Sequence, residues 1–88
     1  MKKNYRNAFE ALKKIGAPVF ERSDLADKES FGISGEDNYP ICWADYYEGS
    51  AYADCDDSGV NKKIVDILEK YGLHAEWDNP GSLSVWEE

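Results

Sequence analysis

Leu73-His74-Ala75-Glu76-Trp77-Asp78-Asn79-Pro80-Gly81-Ser82-Leu83-Ser84-Val85-Trp86 is the stretch whose reading decides the fold. Apolar and polar residues alternate on both sides of a turn cluster, the period-two signature of half-buried strands. With Asn79-Pro80-Gly81 as a three-residue loop and Gly81 in the left-handed region, facing residue numbers sum to 160. Trp77 then faces Leu83 and Ala75 faces Val85. Leu73, Ala75, Trp77, Leu83 and Val85 share one face, and His74, Glu76, Ser82, Ser84 and Trp86 share the other. A two-residue loop would set Glu76 opposite Val85 and mix the faces, which burial of one face penalises.

Immediately before this hairpin the period changes. Val60, Ile64, Ile67, Leu68 and Tyr71 recur at helical spacing, with Lys62, Lys63, Asp66, Glu69 and Lys70 opposite. Asp57 or Ser58 is expected to cap this helix and Gly72 to end it. A first helix is expected from about Asn4 to Ile15, where Tyr5, Ala8, Phe9, Leu12 and Ile15 form one stripe before Gly16 and Pro18. Between the helices the chain reads as extended. Val19-Phe20, Ser30–Ser34 and Ile41–Tyr47 are strand candidates, and the turn cluster at 35–40 predicts a hairpin between the last two. Residues 24–29 have no clear period and read as a loop with some helical character.

The expected fold is therefore α+β, a single domain over residues 1–88 in the order α-β-β-β-α-β-β. Two helices pack on one face of an antiparallel sheet of four or five strands. A chain of 88 residues supports one such domain, with a radius of gyration of about 12 Å.

The charge balance narrows function. Eighteen acids face ten Lys and Arg, for a formal net charge of −8 and a sequence pI near 4.5. A protein that grips phosphates or an anionic membrane needs a basic face, so direct nucleic-acid or membrane binding is not expected. Apolar residues at 42% are too many for a disordered acidic tail. The N-terminus carries charge but no apolar run behind it, and two cysteines are too few to staple a secreted mini-domain. Cys42 and Cys55 are expected as reduced thiols in a cytoplasmic protein.

Catalytic signatures are sparse. The one histidine, His74, falls on the sheet face across from Trp86, and neither cysteine lies near it in sequence. No Gly-rich phosphate loop, G-x-S-x-G elbow or H-E-x-x-H helix occurs. No enzyme and no cofactor are expected. Asp54-Cys55-Asp56-Asp57-Ser58-Gly59 opens like a calcium loop, but position 12 is Val65 instead of a bidentate Glu, and no helix precedes it. An acidic turn before a helix is the plainer reading. A calcium-binding acidic loop at 54–59, in a small regulatory module, is the alternative function.

The surface carries more information. From Glu36 to Asp57 there are seven acids (Glu36, Asp37, Asp45, Glu48, Asp54, Asp56, Asp57) and no Lys or Arg. The same stretch holds Tyr39, Trp43, Tyr46, Tyr47 and Tyr52, while residues 1–16 carry net +4. Tyrosines ringed by carboxylates suit a contact with a basic partner, the rings supplying area and the acids steering encounter.

In size, charge and this acidic, tyrosine-rich quarter of the chain, the sequence resembles the small inhibitors encoded by phages and mobile elements, the anti-CRISPR and anti-restriction proteins. Several of that kind imitate the phosphate array of DNA and occupy the basic cleft of a nuclease or guide complex. The resemblance implies a non-enzymatic binding protein, monomeric or weakly dimeric, acting in the bacterial host cytoplasm on a basic protein or ribonucleoprotein such as a CRISPR effector or nuclease. Glu36, Asp37, Asp45, Glu48, Asp54, Asp56 and Asp57 would stand in for phosphates, and Tyr46, Tyr47 and Tyr52 would anchor the patch. The basic face of the first helix has to point away from such a cleft.

Overall fold

A computed structural model of the chain describes residues 2–21, 30–36 and 40–88. Its centre is the expected hairpin, β3 (Leu73–Asn79) and β4 (Ser82–Glu87), with Ala75 paired to Val85 and Trp77 to Leu83. The loop differs from expectation. Asn79 pairs with Ser82, so only Pro80 and Gly81 form the connection, and Gly81 does not have positive φ. A shift of the ladder between Trp77 and Asn79, at Asp78, takes up the extra residue and restores the register that buries one face. The Asn79 side chain steadies the turn by accepting from Gly81 N at 2.8 Å.

β1 (Val19–Glu21) and β2 (Phe31–Ser34) complete an antiparallel sheet in the order β1-β2-β4-β3. Among the described residues, four strands and two helices, α1 (Lys3–Lys14) and α2 (Lys62–Lys70), make a single α+β domain with a radius of gyration of 11.8 Å. The segment Ile41–Tyr47, expected as a strand paired to β2, does not join the sheet. Both sides of β2 are already occupied by β1 and β4, and the 41–47 segment touches another extended piece only at an isolated bridge, Ala44 to Val60. The loop expected at 24–29 lies outside the described residues.

Helical stripes and sheet face meet in one core. Tyr5, Ala8, Phe9 and Leu12 of α1 and Ile64 and Leu68 of α2 are buried with Phe31, Ile33, Leu73, Leu83 and Val85. Phe9 and Phe31 meet edge-to-face with centroids 5.3 Å apart. Each fully buried side chain of this kind contributes about 1.5–3 kcal/mol. Ile15, expected on the stripe, lies beyond the last helical turn and is exposed. Gly16 and Gly72 follow the helices with φ of 89° and 73°, as their stop positions require.

The start of α2 also differs. Asn61, not Asp57 or Ser58, caps it, accepting from Lys63 N at 2.9 Å. Residues 60 and 61 are held in isolated bridges to Ala44 and Cys55, so the helix cannot begin earlier. A 3-10 turn at Gly49–Ala51 is the remaining regular piece among the described residues.

Candidate functional site

Residues 40–61 are organised by backbone contacts between two turns. Asp45 N donates to Gly59 O and Gly49 N to Asp45 O, each at 2.9 Å. Gly59 has φ of 88°, and a Cβ there would overlap the Asp45 carbonyl oxygen. A Cβ on Gly49 would lie 2.5 Å from Gly59 Cα. Only glycine at both positions lets the 45–49 turn seat against the 56–59 turn.

Two of the expected partner-binding acids hold these turns. Asp45 Oδ1 accepts from Tyr47 N at 3.0 Å and Glu48 N at 3.1 Å. Asp56 Oδ1 accepts from Ser58 N at 2.9 Å, Ser58 Oγ at 2.6 Å and Val60 N at 3.1 Å. These are Asx turns: the carboxylate satisfies backbone donors that no strand or helix serves.

The 45–49 turn delivers Tyr46 and Tyr47 to the surface, 51% and 78% exposed. Tyr46 meets Tyr47 and Trp77 edge-to-face, with centroids 5.3 and 5.4 Å apart. Trp77 is fixed by its indole N–H, which donates to Ser58 O at 2.9 Å. The result is a row of three rings, Tyr47–Tyr46–Trp77, at the turn end of the hairpin. Gly35 lies against the Trp77 ring, where a Cβ would come within 2.7 Å of the indole, and Glu36 beside it faces Gly81. Glu36, Asp45 and Glu48 therefore border the row.

The remaining expected residues are placed apart from it. Tyr52 is exposed at the end of the 3-10 turn. Asp54 lines a shallow groove with Ile41, Lys62 and Lys63. Asp57 is exposed on the 56–59 turn. Asp37 and Tyr39 lie outside the described residues. Trp43 is buried in the core and plays no part in the surface. The basic helix α1 packs against α2 and beside β1, the edge strand opposite β3, and Lys2 at its start pairs with Glu87 of β4 at 3.0 Å.

Beside the row, a cavity of about 100 Å³ opens between β3, α2 and the 56–59 turn. Val60, Leu68 and Leu73 line its apolar floor, and Asp56, Glu69 and Glu88 add carboxylates. The site thus includes Trp77, Glu69 and Glu88, which the linear charge pattern does not single out. Trp77 reads in sequence as a core residue, and the two glutamates come from α2 and from beyond β4.

His74 also lines the cavity, 3.8 Å from Glu76 Oε1. Among the described residues, no group of three or more His, Cys, Asp or Glu is arranged to hold a metal ion. In the 54–59 loop the Asp56 carboxylate is turned to its own backbone, and Asp54 lines the groove with Lys62 and Lys63. No helix is long and apolar enough to cross a membrane among the described residues. Compared with protein-family models, curated proteins and solved structures, the chain matches none.

Proposed function

We propose that the protein is a non-enzymatic inhibitor, of the anti-CRISPR or anti-restriction kind, that occupies the basic nucleic-acid site of an effector complex or nuclease in the bacterial cytoplasm. The observation that carries this reading is the pair of exposed rings Tyr47 and Tyr46, backed by the half-buried Trp77 and bordered by Glu36, Asp45 and Glu48 from a stretch without Lys or Arg. Rings held edge-to-face lose little freedom on binding and offer flat apolar area. Carboxylates around them pair with the Lys and Arg that otherwise hold phosphates. Asp45 and Asp56 serve their turns as hydrogen-bond acceptors within the same acidic stretch. The adjoining cavity suits one long cationic side chain, its methylenes on Val60, Leu68 and Leu73 and its head near Glu69 and Glu88.

The test is capture from bacterial lysate with the tagged protein at low salt and at about 0.5 M salt, where exposed charge pairs are screened within a few Å. A nuclease or guide complex held at low salt and lost at high salt is the expected result. With that target purified, the inhibitor should displace labelled nucleic acid from it. Glu48→Lys combined with Tyr47→Ala should lower target affinity at least tenfold while leaving the melting midpoint unchanged. Retention of the same protein at both salt concentrations, or inhibition without displacement of nucleic acid, defeats this mechanism.

A further inference from the structure

Cys42 and Cys55 lie 13 positions apart, yet their sulfurs sit 3.8 Å from each other, with the Cys55 thiol donating to the Cys42 sulfur. Asn61 holds both backbones in place. It bridges to Cys55, and its side-chain amide donates to Cys42 O at 3.1 Å. The Cys55 thiol also approaches Cys42 O at 3.6 Å. A bond of roughly 2.05 Å therefore needs less than about 2 Å of approach between the two sulfurs. Cys55 is 6% exposed and Cys42 is half-buried, so an oxidant meets Cys42 first.

We propose that Cys42 and Cys55 form a two-electron oxidation site, at which a peroxide converts the pair into an intramolecular disulfide closing the 42–55 loop that carries Tyr46, Tyr47 and Tyr52. The Cys42 thiolate attacks one peroxide oxygen; the O–O bond breaks, Cys42 becomes a sulfenic acid, and hydroxide leaves to take up a proton as water. The Cys55 thiolate then attacks the Cys42 sulfur; the S–S bond forms, the S–O bond breaks, and a second water leaves. Two thiols are oxidised and one hydrogen peroxide is reduced to two waters.

Burial pushes the Cys55 thiol up to about 12, and the Cys42 thiol, Asp56 and Asp54 act in the same direction. Cys55 is thus the resolving partner, its small thiolate fraction offset by contact with its target. Resolution should quicken as pH rises. The cross-link would fix the loop between two points of the partner-facing surface, and it stands whatever that partner is. In a reducing compartment such a bond is transient, as in redox sensing, and not a permanent staple.

The test is hydrogen peroxide treatment of the full chain, followed by intact mass, alkylation and peptide mapping. The expected product is a monomer lighter by two hydrogens, refractory to alkylation until reduced, with Cys42 linked to Cys55. Its melting midpoint should rise by at least about 5 °C, because the cross-link restricts the unfolded chain. Dimedone, which traps sulfenic acid, should label Cys42 in Cys55→Ser. Two thiols still open to alkylation, oxygen adducts without a link, or dimers joined between chains would overturn the proposal. So would an oxidised monomer that melts no higher than the reduced one.

Discussion

The sheet-and-helix core and the 40–61 segment are held by different means. In the core, Phe31, Leu12, Ile33, Ile64, Leu68, Leu73, Leu83 and Val85 are fully buried, and stability scales with the apolar area they remove from water. In 40–61, Trp43, Ala44 and Val60 reach into that core, but the turns between them rest on Gly49 against Gly59, an Asp45 carbonyl against Gly59, and carboxylates folded onto their own turns. One region tolerates a change of shape badly but a change of polar decoration well. The other depends on backbone conformation and on side chains of two or three heavy atoms beyond Cβ. The exposed rings stand on the second region and lean on Trp77 of the first.

The comparison breaks most sharply at Phe31. Phe31→Ala removes a ring with no exposure that packs edge-to-face on Phe9. A loss of about 3–5 kcal/mol is expected in urea unfolding, enough to leave a domain of this size largely unfolded. Secondary structure and the ring row should disappear together. A loss below about 1 kcal/mol would mean that the core does not carry the fold.

Next comes Gly59→Ala. The left-handed backbone alone costs about 1 kcal/mol for a residue with a Cβ, and overlap with the Asp45 carbonyl adds to it, for about 2–3 kcal/mol in all. Here the two regions should separate: near-ultraviolet circular dichroism from Tyr46 and Trp77 should change, while far-ultraviolet signal from the helices and sheet stays. Equal loss of both signals would show that 40–61 has no independence from the core.

These expectations explain which parts were legible in sequence. Alternation at 73–86 and helical spacing at 60–71 are direct images of burial, so the hairpin pairing and α2 could be read from residue order. The same logic misled at Ile41–Tyr47, where strand-forming residues are abundant but both sides of β2, the expected partner, are taken and Asp45 draws the chain into a turn. Gly59 and Gly49 carry no periodic signal, because their role exists only once the two turns meet. The acids from 36 to 57 were visible as a charge run, but not the division between Asp45 and Asp56, which hold turns, and Glu48 and Asp57, which do not. Nor does spacing reveal that Trp77, half-buried against the core as its face predicts, would also meet Tyr46 and complete the ring row.

Alkaline pH sharpens the contrast through Cys55. Its thiol is raised from about 9.0 to about 12 in the folded protein, chiefly by burial. Both states hold the proton below about pH 9, so the contribution is fully present there. Between roughly pH 9 and 12 the unfolded chain releases the proton and the folded chain keeps it, and stability falls as pH rises. By pH 10 the expected loss is about 1 kcal/mol relative to Cys55→Ala, whose melting midpoint should decline less over the same range. Parallel declines for the two proteins would place the thiol in an environment close to water.

The smallest effects lie within the acidic stretch itself, and they separate structural acids from surface ones. Asp56→Ala removes the acceptor for Ser58 N, Ser58 Oγ and Val60 N, and Asp45→Ala removes that for Tyr47 N and Glu48 N. Each should cost about 1 kcal/mol, as loss of a comparable side-chain cap does. Asp57→Ala and Glu48→Ala, at exposed positions, should stay within about 0.5 kcal/mol of the parent. Removing like charge from a chain of net −8 also favours the compact state slightly, so these two changes should lean towards stabilising. If all four substitutions fall within one narrow band, the turns are held by their glycines alone. If they divide as expected, Asp57 and Glu48 are free to serve a partner, and their loss should register in binding and not in melting.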